Sequence, residues 1–504
     1  MSVAAAYKPN RIVTSPHAPG LRAGSFFERP SRMSECMGVG DDPLVLEIPF
    51  MDPLNAFAYW ADQPFVAFLD GATPTDPRCR YAYLAVEPFR LIETRGEVTT
   101  IDGVPAPGNP FDILERELAR FQLPSGGVPV PFGTGAIGFI GYEMGRHLER
   151  LPGHLDDPAD IPDMVMAFYD LVLAFDLAER LCWILSSGFP EVGKSRLAWA
   201  QERASAMEAR LASPTPPIVS HEPERGAWIP DLSRSDYEAR VERILDHIRA
   251  GDIYQANMTM SHRMARSSNA PASGIYRRLR AQSPAPFAAY LGCGPRLSIV
   301  SASPERFLHL DRTGLIETRP IKGTRPRGAT PAEDHRERQA LRTSIKDKAE
   351  NLMIVDLMRN DLGRVAEIGS VRVPTLHEVE SFATVHHLVS TVTAQLVPGI
   401  GPIGLLRACF PGGSITGAPK KRAMEIIDAV EASRRGPYCG MIGWIGFDGT
   451  MDSSIVIRTL TITPDWLIAQ AGGGIVADSN PAAEHEEMMV KIRPLLRAVT
   501  DAAP

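Results

Sequence analysis

Lys322 stands between Ile321 and Gly323 in the run Thr318-Arg319-Pro320-Ile321-Lys322-Gly323-Thr324, where a strand-like stretch gives way to a turn. Solvated at a turn tip, such a lysine is a plain surface cation. Desolvated, its ammonium loses its proton more readily and the free amine becomes a nucleophile. Upstream, Ser303-Pro304-Glu305-Arg306-Phe307 sets a carboxylate just after the strand-like Leu297-Ser298-Ile299-Val300-Ser301; taken alone, Glu305 reads as a surface charge. Further acidic residues recur at helical spacing. Asp347 and Glu350 are three apart and share a helix face. Near the C-terminus Glu484, Glu487 and Lys491 fall at i, i+3 and i+7. Either set could be a wet acidic surface. Together they could hold a hard cation, since Mg²⁺ takes one or two protein carboxylates and completes its shell with water and substrate oxygens.

Two glycine-rich turns could bring backbone N–H groups close to an anion. They are Pro411-Gly412-Gly413-Ser414-Ile415-Thr416-Gly417-Ala418-Pro419-Lys420 and Ala471-Gly472-Gly473-Gly474. The first fails the phosphate-loop pattern, because Ala418 and Pro419 follow its last glycine. No G-x-G-x-x-G opens a helix after a strand, so a dinucleotide site is unsupported as well.

These groups need rigid carriers. Asp347 and Glu350 lie in a helix predicted from about Leu341 to Asp361. The last helix is predicted to start near Asn480, with Pro481 in its first turn and Met488, Ile492 and Leu495 as its packing stripe. Ser235 and Glu238 have capping-box spacing ahead of a stripe of Tyr237, Val241, Ile244 and Ile248, and Gly251 marks the stop. Ser195 to Leu211 reads as another helix, and Lys420-Lys421-Arg422 as a solvated helix start. From Leu44 to about Gly188, short apolar runs such as Phe65–Leu69, Ala136–Tyr142 and Leu171–Phe175 are bounded by Gly, Pro and Asp, as strands of a large sheet are. Residues 213–230 contain five prolines and mark a linker. The organisation expected is a mostly disordered lead over 1–43, an N-terminal region over 44–212, the linker, and a chemistry-bearing region over 231–504.

Bulk properties narrow the function. The 504 residues are 44% hydrophobic and 22% charged, with a formal net charge of -7. No long basic run offers a polyanion footprint, so no nucleic-acid partner is expected. The six cysteines form no C-x-x-C pair, which suits free thiols in a reducing cytoplasm. No apolar stretch approaches a membrane span, and no secretory signal opens the chain.

Several runs occur in an order that resembles the chorismate-binding enzymes: Gly251-Asp252-Ile253-Tyr254-Gln255-Ala256-Asn257, the Glu305 and Lys322 runs, Ala349-Glu350-Asn351-Leu352-Met353-Ile354-Val355-Asp356-Leu357, His387-Leu388-Val389-Ser390, the Ser414 turn, Asp452–Thr459 and Gly472–Ser479. The resemblance covers about residues 235 to 495, and is loose over 44–230. It implies an α+β fold with two large, mostly antiparallel β-sheets packed face to face and helices outside. It also implies Mg²⁺ and chorismate.

Carried over residue by residue, the resemblance implies Glu350 and Glu487 as magnesium ligands, with Asp347 beside the metal rather than on it. Arg458 and Tyr438 would hold the pyruvyl carboxylate, assisted by the Gly474 N–H and Lys491, with Ser414 and Thr416 lining the pocket. His387 would lie near the reacting ring, and Glu484 would be an acidic pocket residue. Glu305 would be the general acid that protonates the departing C4 hydroxyl. Anthranilate synthases typically read Pro-Ile-Ala-Gly-Thr where this chain has Lys322, and the lysine form is similar to the aminodeoxychorismate enzymes. Direct addition of ammonia at C2 gives a 2-amino product. A lysine amine covalently occupying C2 forces ammonia to C4, giving 4-amino-4-deoxychorismate for the 4-aminobenzoate and folate route.

No cysteine sits in a G-x-C-x-G glutaminase elbow; Cys293 lies in Gly292-Cys293-Gly294-Pro295. A separate glutaminase subunit is therefore the implied ammonia source, and a further enzyme would make 4-aminobenzoate. The competing readings are anthranilate synthase component I, a water-using isochorismate or salicylate enzyme, and a non-catalytic chorismate-binding subunit.

Overall fold

The computed structural model describes residues 42–61, 63–72, 76–152, 159–218, 223–267, 271–382 and 385–501. The lead expected up to residue 41 lies outside them.

Strands covered on both faces read as unbroken apolar runs, and Leu171–Asp176 shows the cause. Leu171, Leu173 and Phe175 join one hydrophobic core while Val172 and Ala174 join another. Side chains alternate along a strand, so each strand of this kind feeds two cores. The first twelve-stranded sheet runs Leu44–Ile48, Leu181–Ser186, Leu171–Asp176, Tyr81–Ala85, Ala67–Asp70, Phe287–Gly292, Ser298–Ser303, Thr459–Ile462, Trp466–Ile475, Gln255–Ala265 and Ile229–Pro230, with Gly417–Ala418 also on Gln255–Ala265. The second runs Ile321–Pro326, Val385–Gln395, Leu315–Thr318, Arg306–Leu310, Met451–Ile455, Met441–Gly446, Gly135–Ile140, Met164–Tyr169, Arg90–Arg95, Val98–Ile101 and Val104–Ala106, with Arg372–Ser381 on Val385–Gln395. Neighbouring strands are antiparallel.

The sheets pack face to face through a shared core. Tyr83, Ala289 and Ile299 come from the first sheet, and Phe139, Ile442 and Trp444 from the second. Phe132 stacks on Trp444 at 4.9 Å between ring centres. Helices cover the outer faces: Arg234–Arg249 and Pro481–Thr500 on the first sheet, Ile345–Gly363 and Pro402–Cys409 on the second. The expected α+β sandwich is the observed one. Residues 44–212 and 231–504 contribute to both sheets, Ala67–Asp70 pairing with Phe287–Gly292 and Gly135–Ile140 with Met441–Gly446.

Three local expectations need correction. The helix over Arg234–Arg249 is capped by Ser233, whose hydroxyl accepts from the Asp236 N–H at 3.1 Å. Ser235 lies inside the helix, and Glu238 pairs with Arg234 at 2.7 Å. The Ser-x-x-acid spacing recurs two residues earlier, and the true start is set there. The helix expected from about Leu341 is two helices, Pro331–Thr343 and Ile345–Gly363. Ser344 breaks them because its extended backbone lets its hydroxyl cap the Asp347 N–H. Lys420 does open a helix, Lys420–Val430, but it is not solvated. Its ammonium pairs with buried Asp361 at 2.5 Å and donates to the Cys409 carbonyl at 2.8 Å.

Candidate active site

Two chain crossings between the sheets build the floor of the site. Ser298–Ser303 belongs to the first sheet and Arg306–Leu310 to the second, so Pro304–Glu305 is a crossover. Met451–Ile455 and Thr459–Ile462 likewise lie in different sheets, and Arg458 sits in the crossover between them with φ +51°. Glu305 is buried. Burial raises its carboxyl above the usual range, while a hydrogen bond from Ser414 and the charges of Lys322 and Arg458 pull it down. Burial also lowers the Arg458 guanidinium, opposed by Glu305. Tyr438 is carried by a turn laced to the same crossover: Cys439 N–H donates to the Val456 carbonyl at 2.8 Å, and Val456 N–H to Gly440 at 2.9 Å.

Lys322 is aimed by a bulge. Its strand pairs with Val385–Gln395, and the register shifts between Ile321 and Thr324. Bulges re-aim side chains out of the ladder. Gly323 makes this one possible: its φ is +86°, and a Cβ there would lie 2.9 Å from both Asp347 Cβ and Leu341 Cδ1. Lys322 Nζ donates to the Ser414 carbonyl at 3.0 Å. It also lies over Gly474, where a Cβ would come within 3.5 Å of it. A residue on the edge of the second sheet thus reaches the first. Burial lowers the Lys322 ammonium, helped by Lys491 and resisted by Glu350, Glu305 and Glu487.

The acidic helix faces meet beside this lysine. Lys346 Nζ stands 3.8 Å from Glu350 Oε1 and 3.6 Å from Glu484 Oε1. Glu484 also accepts from the Ser479 hydroxyl at 2.7 Å. Glu487 pairs with Lys491 at 2.8 Å, and Lys491 donates to the Gly472 carbonyl at 2.9 Å. The Lys491 charge lowers Glu487, whereas burial raises Glu350. Asp347 is held off the cluster by Arg325 at 2.8 Å. Among the described residues no three metal-binding side chains form a ready cage. Mg²⁺ needs no more than one or two carboxylates, and the chain's own cation, Lys346, already stands between two of them. Carboxylates that already face one cation are the hard oxygen donors this ion takes.

The remaining expected residues lie close to the same groups. Ser414 is the middle residue of a 3₁₀ turn, Gly413–Ile415, and Thr416 follows it; the Thr416 hydroxyl donates to the Gly412 carbonyl at 2.9 Å. His387 is buried next to Lys322's strand, with Thr324 Oγ1 2.9 Å from its Nδ1. Burial first, then the nearby Arg458 charge, keeps its imidazole far below the usual histidine range and therefore neutral.

The match to known sequences runs over most of the chain. The family model for chorismate binding enzyme covers residues 67–497. The chain belongs to that family. An aminodeoxychorismate synthase component 1 of Klebsiella aerogenes is 42% identical over 461 residues, 90% of this chain and 98% of the relative. An anthranilate synthase component 1 of Streptomyces coelicolor is 38% identical, over 92% of this chain and 90% of the relative. The crystal structure of anthranilate synthase component I from Streptococcus pneumoniae superposes with a TM-score of 0.74 at 31% identity, covering 84% of this chain and 93% of that one.

In this chorismate-binding enzyme, sequence spacing alone missed several cleft residues. Gln255 is fully buried, and neither end of its amide has a partner among the described residues. Its Nε2 would lie 2.5 Å from a Cβ on Gly474, over the same face as Lys322. Lys346 and Thr324 also escaped notice, as did Arg435 behind the Ser414 turn. Gln255 and Thr324 had a signal, their places in the Gly251–Asn257 and Thr318–Thr324 runs; Lys346 and Arg435 had only an i, i+4 spacing to Glu350 and Glu431, which surface ion pairs share.

Proposed function

We propose that this chain aminates chorismate with ammonia to 4-amino-4-deoxychorismate, as the first component of an aminodeoxychorismate synthase in the 4-aminobenzoate route. The observation that carries the reading is Lys322: a desolvated amine on a bulge, beside a buried carboxyl at Glu305 and opposite two acidic helix faces. The names of relatives at about 40% identity support it.

Arg458 and Tyr438 bind the pyruvyl carboxylate, the arginine fork suiting two oxygens. The free amine of Lys322 forms a bond to C2, the ring double bond shifts, and the C4–O bond breaks. Glu305 gives its proton to the departing hydroxyl, which leaves as water. Ammonia then bonds to C4, the double bonds shift back, the C2–N bond to Lys322 breaks, and the proton shed by the new C4 ammonium returns to Glu305. The lysine is regenerated, and chorismate plus ammonia has become aminodeoxychorismate plus water. Glu350 and Glu487 would hold Mg²⁺, which supplies Lewis acidity and a fixed anchor for the ring carboxylate. Neutral His387 crowds the ring without adding charge. Ammonia is supplied by a separate glutaminase component.

The test is regiochemistry. Purified chain with chorismate, Mg²⁺ and ammonium should give the 4-amino isomer. A 2-amino product would make it an anthranilate synthase, and product without ammonia an isochorismate-type enzyme.

A further inference from the structure

One buried ion pair is tied to the backbone of two segments beside the site. Arg435 is 3% exposed and Glu431 6%. Arg435 Nε donates to Glu431 Oε2 at 2.9 Å, and Nη2 donates to Oε1 at 2.7 Å. Nη1 also donates to the Ile415 carbonyl and Nη2 to the Asn257 carbonyl, both at 2.8 Å. The guanidinium lies 4.3 Å over the Tyr142 ring. Glu431 Oε1 in turn accepts from the Thr259 N–H at 2.9 Å and its hydroxyl at 2.8 Å.

The two carbonyl bonds lead to site residues. Ile415 lies between Ser414 and Thr416. Asn257 N–H donates to the Thr416 carbonyl at 2.7 Å, and Tyr438 N–H to Arg435's own carbonyl at 3.2 Å. Three successive carbonyls, at 414, 415 and 416, are therefore taken by Lys322, Arg435 and Asn257. A buried pair is weak evidence for stability, because desolvation offsets its attraction. Its geometry says more. A planar fork with donors in fixed directions sets the spacing of three segments remote in sequence.

We propose that Arg435, locked by Glu431, is a positioning residue that holds Ser414 and Thr416 at the spacing chorismate requires. The proposal rests on the reading of those two residues as part of the substrate cradle. Lysine at 435 keeps the charge but loses the fork.

Arg435→Lys should raise KM for chorismate about 10-fold or more, with a smaller fall in kcat and Mg²⁺ affinity by calorimetry within about 2-fold of wild type. The paired Arg435→Met, Glu431→Leu variant leaves no lone buried ion; it should melt near wild type and show the same rise in KM. Arg280→Lys, at the buried Asp70 pair, is the structural control and should lower the melting temperature with KM unchanged. A folded Arg435→Lys or paired variant with wild-type KM overturns the proposal. If neither variant folds, the pair is a stability element and the proposal also falls. Product identity is read in the same assays. A 2-amino product from wild type would sink the Lys322 mechanism while leaving the KM comparison intact.

Discussion

Glu305 and Arg458 stand on adjacent crossovers between the two sheets and are tied to each other's strands. Ile455 N–H donates to the Glu305 carbonyl at 3.1 Å, and Ala302 N–H donates to the Arg458 carbonyl at 3.1 Å. The proposed proton donor and the proposed carboxylate anchor are thus spaced by backbone hydrogen bonds rather than by side-chain packing. Such bonds resist the small displacements that cost rate in a preorganised site.

Glu305 must hold its proton to act as an acid. Burial raises its carboxyl, so the active form persists to higher pH than a free glutamate allows, and rate falls as pH rises through that raised value. Glu305→Gln should lower kcat by about 10²- to 10⁴-fold and abolish that alkaline fall. A variant with wild-type kcat and an unchanged pH profile would exclude Glu305 as the acid.

Lys322→Ala should lose normal C4 amination by on the order of 10³-fold or more, as loss of a covalent nucleophile does. Circular dichroism should stay unchanged, because Lys322 sits half-buried at an edge strand. Acid-quenched wild type should carry a chorismate-derived mass on the Lys322 peptide. Undiminished C4 amination in the variant would refute covalent catalysis.

Gly474 has no room for a side chain. A Cβ would meet Gln255 Nε2 at 2.5 Å and crowd Lys322 Nζ at 3.5 Å. Gly474→Ala should raise KM for chorismate by roughly 10-fold, equivalent to about 1.4 kcal/mol. An unchanged KM and kcat would show that substrate does not approach this strand.

The metal assignment predicts opposite effects on one helix. Glu350→Ala, and Glu487→Ala on the C-terminal helix, should raise the Mg²⁺ concentration needed for activity and weaken binding by calorimetry. Lys346→Met removes the ammonium from between Glu350 and Glu484 and should tighten Mg²⁺ binding. The gain is expected to be about 2- to 5-fold, because a half-exposed ion pair contributes at most about 1 kcal/mol. Weaker Mg²⁺ binding in Lys346→Met would mean that the lysine organises the site rather than competing for it.

Much of this was legible in the chain itself. Apolar runs such as Leu171–Phe175 announced strands of a large sheet, and Asn480 with Pro481 announced the last helix, because caps and periodicity are local. The capping of Arg234–Arg249 was misplaced by two residues, since Ser233 and Ser235 both offer the right spacing. Burial of Lys420 was invisible, because its partner Asp361 comes from another helix.

The sequence by itself determined the order of the motifs, hence the family, and which residue types were on hand for chemistry. Only the tertiary structure decided what those residues became. Lys322 is a nucleophile candidate because Ser414, Gly474 and Glu350, each from a different part of the chain, stand beside it and take part of its water away. Desolvation and charge proximity are properties of neighbours, and neighbours are set where strands cross from one sheet to the other.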